Sequence, residues 1–173
     1  MEHLVIRAAT INDIELLQKI SRQTFSETFS VSNTEENMTK YLTEELSAEK
    51  LSAELTDIHS EFYFAIHNNN IIGYLKLNEG ESQTEIKDKT SLEIERIYVL
   101  KEYHRKKAGQ LLYEKAIQVA RHKQAAYVWL GVWEENKRAQ AFYTKNGFVE
   151  FDKHFFTLGD DVQTDIMMKL QLV

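Results

Sequence analysis

The sequence predicts a single mixed α/β domain spanning residues 1–173. Three observations carry that expectation. Short runs rich in Ile, Val and Tyr alternate with segments of helical period, and the second half closes in strand–helix–strand–helix–strand order. At 173 residues, with 43% hydrophobic and 28% charged content, the chain suits one core of ordinary size. Proline is absent and the six glycines are scattered, so nothing reads as a linker.

Leu4–Ala8 reads as the opening strand. Asn12 then stands as a helix cap with Glu15 in capping-box position, and Ile14, Leu17 and Ile20 or Ser21 share one face. Residues 35–46 and 48–55 form a second helical region, Glu and Lys outside and Leu inside. Residues 61–67 and 71–77 are strands, joined through Asn68, Asn69 and Asn70; asparagine tolerates left-handed backbone, so a tight hairpin follows. Residues 78–90 are polar and aperiodic, an exposed loop by expectation. Residues 92–100 are a strand, and 108–122 an amphipathic helix with Leu112, Ala116, Val119 and Ala120 on one face. Residues 127–132 form a strand and 136–146 a helix, ended by Gly147 where a left-handed residue belongs. Residues 148–152 and 164–170 are the closing strands.

Composition removes several functions. Without cysteine there is no disulfide framework, thiolate zinc site or cysteine nucleophile, which fits a reducing compartment. The six histidines contain no H-x-x-x-H pair, so no metal is expected, and no G-x-S-x-G elbow is present. A net charge of −6 argues against nucleic acid as a partner. Residues 1–9 do not resemble a signal peptide and no run reaches the roughly 18 apolar residues of a membrane span, so the expectation is a soluble, cytoplasmic protein without a membrane partner.

Three pieces carry chemistry: LEIERIYV (92–99), YHRKKAGQLL (103–112) and WLGVWEENKRAQAFYTKNGF (129–148). The second is a strand-to-helix turn, where unpaired N–H groups and the helix dipole favour a phosphate. Arg105, Lys106 and Lys107 add cations there. On its own, the turn reads equally as a solvated basic surface.

In this order the pieces resemble the GNAT superfamily of N-acetyltransferases. The last third, with N-x-x-A-x-x-F-Y-x-K-x-G-F at 136–148 and the closing QTDIMMK, is similar to its PaiA-type spermidine/spermine N-acetyltransferases, as is FSETF at 25–29. The resemblance implies the GNAT fold, an α/β (mixed α+β) arrangement: a central mixed, mostly antiparallel sheet flanked by helices and splayed between its fourth and fifth strands. It implies acetyl-CoA as acetyl-donating co-substrate, a small amine as second substrate and, as a common trait of such enzymes, a homodimer. Ile97, Tyr98 and Val99 would bind the pantetheine arm as an added strand. N–H groups of Arg105, Lys106, Lys107, Ala108, Gly109 and Gln110 would hold the pyrophosphate. Asn136 would reach the pantetheine, and Lys145 either a nucleotide phosphate or solvent. The family turn reads Gln/Arg-x-x-Gly-x-Gly/Ala; here His104 and Lys107 replace the first two consensus residues and Gly109 keeps the last.

An attacking amine must lose a proton held with a pKa near 10.4, a task for a carboxylate acting directly or through water. Glu93 and Glu95 lie two apart on a strand and point to one face with Ile97 and Val99, with Glu95 the nearer to the coenzyme end. Surface charge, or pairing with Arg96 or Lys76, is the competing reading for both. A backbone N–H near Val99 would serve the oxyanion. Tyr143 suits protonation of the leaving thiolate, against the reading of a core tyrosine. Glu27, Glu35 and Glu36 with Phe25, Phe29 and Tyr41 are candidates for an elongated amine pocket, or ordinary helix faces. The polyamine expectation rests on the resemblance; a protein N-terminus, another small amine, or non-catalytic acyl-CoA binding remain the alternatives.

Overall fold

The computed structural model describes residues 3–173. Its elements are β1 (Leu4–Ala8), α1 (Ile14–Phe29), α2 (Glu35–Glu44), α3 (Ala48–Thr56), β2 (Ser60–His67), β3 (Asn70–Glu79), β4 (Ser91–Val99), α4 (Ala108–His122), β5 (Tyr127–Trp133), α5 (Lys137–Lys145), β6 (Val149–Leu158) and β7 (Asp161–Gln171). One seven-stranded sheet runs β1-β2-β3-β4-β5-β7-β6. Every neighbouring pair is antiparallel except β4–β5. This is the mixed, mostly antiparallel sheet that the sequence predicts.

The helices follow from their apolar periods. Leu17, Ile20, Ser21, Thr24, Phe25 and Phe29 recur at helical spacing, so α1 buries one stripe from its second turn to its end. Its entrance differs from expectation. Thr10, rather than Asn12, makes the cap: it forms a capping box with Asp13, one short turn earlier. Arg7 pairs with Asp13 at 3.0 Å, so the box also ties β1 to the helix.

Cross-strand partners share a sheet face. Phe64 pairs with Tyr74 and Tyr74 with Tyr98, on the side where Glu54 of α3 reaches Lys76 and Arg96. Tyr63 and Leu75 face the other way, where Lys115 of α4 lies over the Tyr63 ring. The two buried faces explain why β3 is nearly continuous in apolar residues.

Turns follow residue chemistry at two points. Asn68 and Asn69 take φ of 47° and 70°, closing the expected hairpin in left-handed backbone. Gly147 takes φ 98° behind α5. The last hairpin is longer than expected: β6 and β7 continue to Leu158↔Asp161 around Gly159 and Asp160. A Cβ on Gly159 would lie 2.0 Å from Asn37 Oδ1, so α2 docks directly on the hairpin tip.

The 78–90 segment departs from expectation at Asn78, Glu79 and Gln83. β3 extends to Glu79, Asn78 is fully buried, and Gln83 is 1% exposed. Gln83 Oε1 accepts from Trp129 Nε1 at 2.7 Å and from Ser91 Oγ at 2.8 Å. Asn78 and Gln83 are inward-facing hydrogen-bond partners, which periodicity alone does not reveal, whereas Glu81, Thr84, Glu85, Lys87, Lys89 and Thr90 are exposed as expected.

Candidate active site

β4 and β5 pair only from Ser91↔Tyr127 to Ile94↔Leu130. Beyond Ile94 they separate, because β5 continues along β7 while β4 follows β3. The wedge is the predicted splay. It leaves one edge of the Glu95–Val99 backbone without a strand partner. Two cavities meet there, of about 280 Å³ and about 760 Å³, and Ile97, Tyr98, Asn136, Ala139 and Tyr143 line both.

The smaller cavity has an aromatic wall and acidic floor and sides. Phe25 stacks on Tyr41 with ring centroids 4.1 Å apart, and Phe29 contacts Trp133 and Phe156. Glu93, Glu95 and Asp165 are its carboxylates.

A β-bulge sorts the two glutamates. Lys76 pairs with Arg96 but Leu77 pairs with Ile94, so Glu95 is the extra residue. The alternation shifts by one place. Glu93, Glu95 and Arg96 therefore share the helix-α3 side with Tyr98, while Ile97 and Val99 turn to the other. The expected common face with Ile97 and Val99 is lost to this extra residue.

Glu95 is held by Lys76 at 2.7 Å and Arg96 at 3.0 Å, and Glu54 completes the buried ion network. Burial alone would raise its carboxyl, but the Arg96 and Lys76 charges outweigh that and bring it down to about 2. Glu93 has no cation. It accepts from Asn78 Nδ2 at 3.0 Å and from Thr84 N and Oγ1 at 2.8 and 2.5 Å. Desolvation dominates there and pushes its carboxyl above the ordinary value of 4.5.

On the opposite wall, His154 Nε2 lies 3.3 Å from Asp165 Oδ2 and Nδ1 lies 3.2 Å from Glu85. Burial raises the Asp165 carboxyl and the His154 contact opposes it. A Cβ on Gly131 would lie 3.3 Å from both Asp165 Oδ2 and His154 Nε2, so the glycine leaves space beside this pair. Asp165, His154 and Thr84 are site residues that sequence reasoning missed. Asp165 lies within the closing QTDIMMK run, which assigns it no role, and His154 and Thr84 carry no local motif; the three converge only through strand pairing and the 80–90 segment.

The larger cavity runs from the β4 edge to the N-terminus of α4. Arg105 and Lys107 take φ of 71° and 67°, so the turn uses left-handed backbone at the family's glycine position without a glycine. His104 Nε2–H caps the Val99 carbonyl at 2.9 Å, and Arg138 Nη2 sits 3.2 Å from the same nitrogen. Burial, then the Arg138 charge, lowers the imidazole's pKa.

Placement of the remaining predicted residues is uneven. Arg105, Lys107 and Gly109 line the larger cavity, whereas Lys106, Ala108 and Gln110 are not among its lining residues. Asn136 caps α5 by accepting from Ala139 N and lines both cavities. Tyr143 is 6% exposed, packed against Phe142 and Phe148, and burial raises its phenol. Lys145 is exposed and lines neither cavity. Phe25, Phe29 and Tyr41 line the smaller cavity. The glutamates paired with them do not. Glu27 faces the larger cavity and accepts from Lys101 N, while Glu35 and Glu36 are exposed on the first turn of α2.

A splayed seven-stranded sheet, with a strand edge leading to a helix N-terminus, defines an acyl-coenzyme transferase scaffold. Residues 17–148 match the Acetyltransferase (GNAT) family, and the chain belongs to it: it is an acetyl-CoA-dependent N-acetyltransferase. It is 42% identical over 154 residues, 89% of each chain, to an uncharacterized N-acetyltransferase in the pepI 3′ region of Lactobacillus delbrueckii subsp. lactis. It is 29% identical over 147 residues to the spermidine N(1)-acetyltransferase of Thermoplasma acidophilum, covering 83% of this chain and 86% of that one. Among solved structures, the PaiA N-acetyltransferase of Thermoplasma acidophilum in complex with coenzyme A superposes with TM-score 0.80 at 26% identity, covering 98% and 99% of the two chains. No helix among the described residues is long and apolar enough to cross a membrane.

Proposed function

We propose that the chain acetylates a primary amine of a polyamine such as spermidine or spermine, with Glu93 as proton acceptor and Tyr143 as proton donor. The observation that carries this reading is the acidic, aromatic cavity: Glu93, Glu95 and Asp165 lie among Phe25, Phe29, Tyr41, Trp133 and Phe156. Carboxylates pair with ammonium groups, and aromatic faces accept the charge and the methylene chain between them. The similarity to a spermidine N(1)-acetyltransferase supports the same substrate class.

The larger cavity has features that fit acetyl-CoA. The unpaired β4 edge at Ile97 and Tyr98 offers backbone groups to an extended amide chain, and Asn136 lies across from it. Arg105, Lys107 and the first turn of α4 would hold the phosphates, and nothing lies within 4 Å of a Cβ placed on Gly109. When bound, the coenzyme supplies an acetyl group activated as a thioester.

Protein groups then manage protons. Glu95 is occupied by Lys76 and Arg96 and held near 2, a weak base. Glu93 lacks a cation and sits higher, so it is the better acceptor for the ammonium proton, directly or through one water. This reverses the order expected from position along the strand. The Tyr143 phenol stays protonated and lines the cavity junction, where the departing sulfur needs a proton. The test is thiol release from acetyl-CoA with polyamines, N-terminal peptides and aminoglycosides. Polyamine turnover with kcat/KM well above the others is expected; turnover of a peptide alone refutes the substrate assignment, and coenzyme binding without turnover of any amine refutes the reaction.

A further inference from the structure

The 80–90 segment contributes a hydroxyl to the smaller cavity that the reaction as described does not use. Gln83 anchors the segment. Its Oε1 accepts from Trp129 Nε1 and Ser91 Oγ, and its Nε2 donates to the carbonyls of Gly80 and Asp88 at 3.2 and 3.0 Å. With both ends of the Gln83 amide engaged, the next residue has a defined place.

Thr84 then meets Glu93 twice. Its N–H donates to Oε1 at 2.8 Å and its hydroxyl to Oε2 at 2.5 Å, so the two contacts fix the plane of the carboxyl group. Oε1 accepts a second bond from Asn78 Nδ2 at 3.0 Å. A carboxylate oxygen accepts about two such bonds. Oε1 is therefore filled, and Oε2 retains one acceptor position for an incoming N–H. We propose that Thr84 is a positioning residue that aims Glu93 Oε2 at the acceptor amine, making the 80–90 segment part of the active site. The inference rests on Glu93 being the proton acceptor.

Electrostatics agree with the geometry. Burial raises the Glu93 carboxyl, and the Asn78 and Thr84 hydrogen bonds oppose it. Among charged neighbours, Glu95 on the same strand raises it further. Lys76 of β3 and Arg96 are paired with Glu95 and with Glu54 of α3, and Asp165 and His154 pair with each other on the far wall. Thr84 thus opposes the raising influence of burial and of Glu95. Removing its hydroxyl raises the pKa of Glu93, and the acid limb of the rate profile moves to higher pH.

The experiment compares Thr84→Val, Thr84→Ser and Glu93→Gln by pH profiles of kcat/KM for acetyl-CoA at a saturating amine. Acetyl-CoA titration verifies an intact coenzyme site in each. Thr84→Val should move the acid limb up by about one pH unit, the scale of one hydrogen bond to a charged acceptor, and lower kcat several-fold at neutral pH. KM for acetyl-CoA should stay within about two-fold of the parent by the same reasoning, since no coenzyme contact is lost. Thr84→Ser should restore the parental limb. An unmoved limb in Thr84→Val with Glu93→Gln inactive overturns the role of Thr84 alone. A Glu93→Gln enzyme with parental rate overturns the proton-acceptor reading and the present inference with it.

Discussion

Replacing Lys107 by glycine and, separately, by alanine isolates the strain in the coenzyme turn. Lys107 sits at φ 67°, ψ 2°, immediately before α4. An L-residue in that conformation costs about 1–2 kcal/mol through its Cβ, and glycine does not incur this cost. Glycine has greater freedom in the unfolded chain, which takes back about 0.5–1 kcal/mol of the gain. Both substitutions remove the same charge, so their difference reports the backbone. Lys107→Gly should therefore be the more stable by up to about 1.5 kcal/mol, or up to about 3–6 °C in melting temperature for a domain of this size. Coenzyme affinity should fall in both variants through the lost cation, less in the glycine one, whose turn adopts its bound shape without strain. Thermal melts and acetyl-CoA titration read the two effects. Alanine equal to or better than glycine in both would refute the claim that this turn stores strain at residue 107.

Two further outcomes follow from the site. Tyr143→Phe should keep acetyl-CoA affinity and lower kcat by about 10²-fold or more, the scale of one lost proton transfer, in steady-state kinetics; an unchanged kcat removes the hydroxyl from the reaction. Glu95→Gln should destabilise the fold at neutral pH by about 3 kcal/mol, because it leaves Lys76 and Arg96 short of a buried partner. The sign with pH follows from a carboxyl held at about 2 instead of 4.5. Its stabilisation is complete above the ordinary value and is lost as pH falls toward 2, so melting curves of parent and variant should converge across that range. A gap that stays constant would disprove the linkage.

The order of the strands and helices was legible because each buries a face whose period appears in the chain. α1 repeats apolar residues at helical spacing, and β3 reads as a continuous apolar run because both its faces are covered. The paired left-handed asparagines 68 and 69 and the φ 98° of Gly147 were legible from residue chemistry. The strand-to-helix turn at 103–112 was legible too, with α4 starting at Ala108. Where expectation and structure differ, the cause is local in one case and nonlocal in the other. Thr10 displaced Asn12 as cap because Asp13 sits in box position, and Gly159 accepted a close approach from Asn37 that no local pattern encodes.

For this protein, the sequence by itself determined a GNAT acetyltransferase and the order of its strands and helices. Tertiary structure alone decided which carboxylate lacks a cationic partner. The bulge at Glu95 turns that residue onto Lys76 and Arg96, while Glu93, two places away, is left to Asn78 and Thr84. Sequence spacing treats the two glutamates alike. Their charges part because a buried ion pair depends on what the neighbouring strand and helix bring within a few ångströms, and strand register sets that contact.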